Sequence, residues 1–338
     1  MKSLSSLKYF WSLSAVPFVI AGNILGGWFT LMNIIYLLGI MTMTEKYFSQ
    51  ETYDNPQNNF IPNLILILHA LTMTACGTSL FYGIHTNALH GFWIWVATVS
   101  TGFNSGMAGI TSAHEMIHRK QKFFRVLGIW NLVQVNYGHF FIEHIKNHHK
   151  LVGTAKDPAT ARYGESVYHF IFRTIPQQFK SALNIEATRL RKQNSFAYSL
   201  NNFVVFILLV QLIVCALVFY FLGTVFLLAY LNQGFISILL LEYVNYIEHY
   251  GLTRNENEKV NATHSWQSDF LPSRFSLIEL SRHSDHHNHA AKPFHTLQSH
   301  SESPVLPGGY FGSFYLALAP SRWFKKINPI IDAMKISS

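Results

Sequence analysis

Long apolar runs, broken by short polar or glycine-bearing turns, dominate much of the first 250 positions of the chain. The hydrocarbon core of a bilayer is about 30 Å thick and takes about 20 apolar residues per helix. Six segments meet or approach that measure: about Tyr9 to Ile24, Gly27 to Met43, Phe60 to Ile84, Gly91 to Ser112, Asn202 to Leu222 and Thr224 to Tyr246. Gly26-Gly27 reads as a tight turn within the first pair and Gly223 as the turn within the last. The first segment is short, and its other reading is a tilted or re-entrant helix. The pattern predicts an all-α integral membrane protein with about six transmembrane helices. Residues 1–338 form one membrane-embedded domain, with a helical, histidine-rich region built from a loop, 119–200, and a tail, 250–338.

Charge orients these spans. The loop carries 13 Lys/Arg against 4 Asp/Glu, and the tail 9 against 7. The turns at Gly26 and Gly223 and the segment His85 to His90 carry no Lys or Arg. Basic residues stay cytoplasmic, so both termini, the loop and the tail are expected inside. Only 12% of the residues are charged, about half the usual share for a soluble domain. The net charge of +8 is therefore a signal of topology and partners, and no separable basic face suggests nucleic acid. Cys76 and Cys215 both lie in apolar stretches, which excludes a disulfide framework and a cysteine-ligated iron–sulfur site. Neither a GxGxxG turn nor a GxxxxGK loop is present, so no nucleotide site is evident.

Four segments concentrate the chemistry. They are HEMIH (His114, Glu115, His118), EHIKNHH (Glu143, His144, His148, His149), NYIEHYG (Asn245, Tyr246, Glu248, His249, Tyr250) and RHSDHH (Arg282, His283, Asp285, His286, His287). His114 and His118, His144 and His148, and His283 and His287 are each four residues apart, with His286 three past His283. Residues so spaced share a helix face, so each segment can aim two or three imidazoles at one point. His114 follows the fourth span and His249 the sixth, which sets them at one depth on the cytoplasmic side. Nine imidazoles exceed what one metal uses; two metals taking four or five each would use all of them. Imidazole suits zinc, copper, iron and nickel alike. HExxH is also a zinc-protease motif, but one zinc leaves the other three segments unexplained.

Glu115, Glu143, Glu248 and Asp285 each adjoin a candidate ligand. A ligating imidazole usually donates its outer N–H to a carboxylate or carbonyl, and these four are read in that role. A carboxylate bridging the metals is the less expected alternative, since the imidazoles already fill the ligand positions. His69, His85, His90, His169 and His264 are read as packing or surface residues, and His139 as packing or as a partner that orients a ligand; His289, His295 and His300 follow the last segment closely enough to extend it, but packing is their favoured reading.

On these motifs the chain resembles the membrane-bound alkane hydroxylases (alkane 1-monooxygenases), within the integral-membrane fatty acid desaturase and hydroxylase superfamily. HEMIH, EHIKNHH, NYIEHYGL and RHSDHH stand in the family's order and spacing, with its connecting stretches DPATARYGESVYHF, HSWQSD and SPVLPGGY. The resemblance runs from about Ser112 to Pro320. It implies a six-helix fold and a cytoplasmic non-haem di-iron site ligated by His114, His118, His144, His148, His149, His249, His283, His286 and His287. It further implies hydroxylation of the terminal methyl of alkanes with O2, in a bacterial inner membrane. Electrons would come from rubredoxin, refilled by an NADH-dependent reductase. Asn147 stands where the family usually has Gly, NHAAKPFHTL replaces a Pro-Thr-Arg stretch, and the chain is short at both ends against typical members. Fatty acyl or alkyl-aromatic substrates are the alternative within the superfamily.

The chemistry agrees with that resemblance. Side chains cannot break an alkane C–H bond, so a metal cofactor working on O2 must. With no redox motif of its own, the chain needs a separate electron carrier, which the basic loop would steer if that carrier is acidic. An apolar cavity among the spans should hold the substrate. Gly102, Ser105, Gly106, Gly109 and Ser112 could leave room for it, although close helix packing is the favoured reading of that stripe. A metal transporter would place its ligands near mid-membrane, whereas these lie at helix ends.

Overall fold

A computed structural model describes residues 4–48, 50, 52 and 58–337, so the last residue of the expected tail lies outside it. Among the described residues the chain is all helix and loop, with two isolated bridges, Gln50–Phe270 and Gln267–Val305.

Among the described residues, four helices are long and apolar enough to cross a membrane: Gly27–Tyr47, Phe60–His85, Phe203–Leu222 and Thr224–His249. The last two show how the sequence sets their limits. The Asn202 side chain accepts from the amides of Val204 and Val205, closing the helix start. Gly223, at φ 96°, turns the chain directly into the next helix, a conformation that costs residues with a Cβ far more.

The remaining two expected spans differ from the sequence-based picture. Residues 9–24 do not form one long helix. A 3-10 helix, Leu4–Leu13, is followed by a separate ten-residue helix, Val16–Leu25, which at about 15 Å covers half a bilayer core. Residues 92–118 are helical throughout, α then π then α. That length suffices, but Thr98, Ser100, Thr101, Asn104, Ser105, Thr111 and Ser112 are polar and buried. The helix is packed inside the bundle, chiefly against Thr224–His249.

The small residues on that helix mostly serve packing. A Cβ on Gly102 would lie 2.7 Å from the carbonyl oxygen of Gln233, and one on Gly109 2.5 Å from the sulfur of Met73. The loop after His118 is not a simple surface loop. Helix Lys122–Gln134 turns back along the bundle: Trp130 donates to Thr74, Asn131 to the carbonyl of Gly109, and Tyr230 to the carbonyl of Val133. The chain reverses at Asn136 (φ 58°) and returns through Phe140–Glu143 to the second histidine segment. The Gly26 turn abuts Ala88, so that turn and the His85–His90 segment meet at one end. All four histidine segments lie at the other.

Candidate metal centre

The structure brings the nine histidines together in two groups, each able to hold a metal ion. His114, His118, His144, His149 and His286 form one; His148, His249, His283 and His287 form the other. The groups touch where the rings of His149 and His287 stack at 4.5 Å.

Helical spacing accounts for part of this division. His114 and His118 share the first group, and His283 and His287 the second, as four-residue spacing on an α-helix requires. His144 and His148 do not pair. Residues His144–His148 form a π-helical turn, whose wider register sets His144 beside His149 and turns His148 to the other group. His286 likewise leaves its neighbours for the first group. Two short segments thus each supply both groups.

In the five-histidine group the Nε2 atoms of His118, His144 and His149 form a triangle with sides of 3.0, 3.0 and 3.1 Å, and His286 Nε2 lies 3.1 Å from that of His149. A neutral ring nitrogen either donates or accepts, so at least one side of any such triangle sets two donors or two acceptors face to face. A cation among them satisfies every lone pair. Two nitrogens at right angles around one metal, each bonded at about 2.1 Å, lie about 3.0 Å apart. Nε2 of His114 and Nε2 of His148 are buried without hydrogen-bond partners, as lone pairs reserved for a metal would be; both ring nitrogens of His287 are also unpartnered, of which one carries the N–H and the other is free to ligate. Burial, reinforced by repulsion from neighbouring rings, holds His144, His149, His283, His286 and His287 well below the usual histidine pKa. The rings are therefore neutral and able to ligate.

The carboxylates divide. Glu248 Oε2 lies 3.2 Å from Nε2 of His283. Glu115 pairs instead with Arg119 at 2.6 Å and accepts from the amide of Phe294. Glu143 accepts from Asn147, the residue that replaces glycine, at 2.7 Å. Asp285 binds His289, His300, Lys292 and the amide of Gln298. It thereby anchors the 288–300 loop rather than a grouped imidazole.

The carboxylate that orients a ring is one that spacing does not reveal. His148 Nδ1 donates to Asp157 Oδ2 at 2.9 Å, and Asp157 also accepts from Thr160 and the amide of Ala159. Burial alone would lower the His148 pKa and raise that of Asp157. Their mutual attraction outweighs it, so His148 is raised and Asp157 lowered. The one signal in the sequence is that Asp157 opens DPATARYG. Asp157→Asn is expected to weaken metal binding at the four-histidine group about 10- to 100-fold. Titrating iron back into the stripped protein checks this.

The fatty acid desaturase family model matches residues 89–315. Alkane 1-monooxygenase 1 of Alcanivorax borkumensis is 34% identical over 313 residues, 89% of this chain and 76% of the relative. Alkane 1-monooxygenase of Pseudomonas putida is 32% identical, with 95% and 84% covered. The xylene/toluene monooxygenase hydroxylase component of Pseudomonas putida is more distant, at 28% over 68% of this chain and 62% of its own. The matched stretch contains every grouped histidine, and the chain belongs to the alkane 1-monooxygenase family of membrane oxidoreductases, within the fatty acid desaturase superfamily.

Proposed function

We propose that the nine histidines hold two iron ions and that the protein hydroxylates the terminal methyl of alkanes with O2. The division of nine imidazoles, seven of them buried, into groups of five and four, each with a metal-sized spacing, carries this reading. Bound iron would supply the oxidising power that breaks an unactivated C–H bond. The protein's own residues do the rest: they fix the ligands, exclude water and guide an apolar chain to the histidines.

The guide is a series of apolar cavities. A groove of about 650 Å³ opens between helices Val167–Lys192 and Thr224–His249, lined by Phe103, Ile171, Phe172, Leu239 and Leu240 among others. Phe103, Leu240, Tyr243 and Phe314 also line a cavity of about 60 Å³. That cavity shares Gly106, Thr111 and Val244 with one of about 20 Å³ bounded by His114, His144 and His283. Gly106 thus leaves room for the route as well as for packing. The lining offers no charge that would hold a carboxylate headgroup until Glu248 and the histidines, which favours a hydrocarbon. Leu240→Trp, at the neck, is expected to lower turnover of the longest accepted alkanes by about tenfold or more with iron content unchanged, as read by product chromatography.

An even number of crossings would leave the termini, the loop and the tail on one side, and the basic loop and tail support the cytoplasmic side of a bacterial inner membrane as the side of the histidines. Electrons come from a rubredoxin-like carrier with its NADH-dependent reductase. His118 and His149 are the grouped rings that reach partial exposure, and Lys120, Lys122 and Lys150 beside them are exposed. This basic rim would steer an acidic carrier. The test is conversion of an alkane series by the purified protein with rubredoxin and reductase. Primary alcohols are expected. Products from acyl lipids or alkyl-aromatics, with none from alkanes, would overturn the substrate assignment.

A further inference from the structure

The buried carboxylates at the histidines differ in what balances them. Glu115 has Arg119, Asp285 has Lys292, and Asp157 has His148. Glu248, 1% exposed, has no lysine or arginine within ion-pair distance among the described residues. Its Oε1 accepts from the Tyr310 hydroxyl at 2.7 Å, and its Oε2 meets Nε2 of His283 at 3.2 Å. A carboxylate withdrawn from water needs a cation or a metal beside it to keep its charge. Glu143, also buried, has one oxygen without a partner, but no grouped ring lies within hydrogen-bond distance of that oxygen.

His283 Nε2 also lies 3.2 Å from Nε2 of His249, so this nitrogen faces into the four-histidine group. Glu248 Oε2 therefore stands among the inward-facing atoms, at the same spacing from His283 as His249 does. The small cavity next to His114 and His144 is bounded by Glu248 as well. The carboxylate thus faces the end of the apolar route. The group it joins is the one with four rings, and a fifth donor there would match the number in the other group.

We propose that Glu248 Oε2 ligates the metal held by His148, His249, His283 and His287, with Tyr310 as the positioning residue that fixes Oε1. This rests on the two-iron reading above. It makes the two metal positions chemically unlike, one ringed by neutral imidazoles alone and one carrying an anionic oxygen donor. An anionic donor favours the more oxidised metal, so the iron beside Glu248 is the harder of the two to reduce.

The test is Mössbauer spectroscopy of the diferrous, 57Fe-loaded full-length protein, with Glu248→Gln and Tyr310→Phe beside wild type. Wild type should show two quadrupole doublets of equal area. In Glu248→Gln one doublet should move or disappear while the other stays in place, and in Tyr310→Phe the same doublet should move less. Two irons in Glu248→Gln with both doublets at their wild-type positions would overturn the assignment. If Glu248→Gln binds no iron, Tyr310→Phe decides: a shift confined to one doublet supports ligation, and an unchanged spectrum rejects it. A wild-type protein that binds a single iron would instead refute the two-iron reading itself.

Discussion

Replacing His149 by alanine is expected to empty the five-histidine group and to lower alkane turnover by at least about 100-fold. His149 Nε2 lies within 3.1 Å of the Nε2 atoms of His118, His144 and His286, so it is the hub of that group. Its ring also stacks on His287, which joins the two groups. Loss of a residue that only orients a ligand typically costs 10- to 100-fold in metal affinity or activity, and loss of the ligand itself should exceed that. Iron per chain and alcohol formation are the two readouts. His139→Ala serves as the control, because that ring belongs to neither group and packs against Tyr137 and Phe179. His149→Ala with full iron and full turnover would remove the residue from the ligand set.

Glu279→Ala is expected to cost about 3–5 kcal/mol of stability, the usual result of removing one partner from a fully buried ion pair. Glu279 is 0% exposed. It receives Arg274 Nε at 2.7 Å and the Tyr9 hydroxyl at 3.2 Å, with Arg282 and Lys8 each at 3.8 Å. Arg282 in turn pairs with Asp269 at 3.0 Å. This network ties the 3-10 helix Leu4–Leu13 to the segment that delivers His283, His286 and His287. It also holds a turn in which Ile278 and Glu279 both adopt positive φ, 44° and 59°. Such a conformation is costly for residues with a Cβ and persists only where the surroundings impose it. The midpoint of thermal unfolding in detergent checks the prediction, and an unchanged midpoint would contradict it.

How much was legible depended on whether a feature follows a regular period. The apolar runs marked helices Phe60–His85, Phe203–Leu222 and Thr224–His249 to within a few residues, because length and hydropathy are local properties. The span from about Gly91 to Ser112 was legible as a helix, although the helix runs on to His118 and tertiary contacts keep its polar side chains inside the bundle. Residues 9–24 were read as one helix, yet the chain breaks near Ser14, and no apolar count records such a break. Helix Lys122–Gln134 looked like part of a basic loop, since Lys122 and Arg125 mask an apolar face that packs on residues 109–117.

At the histidines, the nine rings could be named from the motifs, but their division could not. The π turn at His144–His148 departs from the 3.6-residue period that sequence reasoning assumes. Asp157 and Tyr310 reach the groups from loops or from another helix, and contacts of that kind leave no spacing to detect.

The most direct measurement is the metal content of the purified protein, per folded chain, by elemental analysis. Two irons per chain are expected, because two separate sets of imidazoles converge and each has a metal-sized spacing. A single metal per chain, or zinc bound at stoichiometry, would contradict the account.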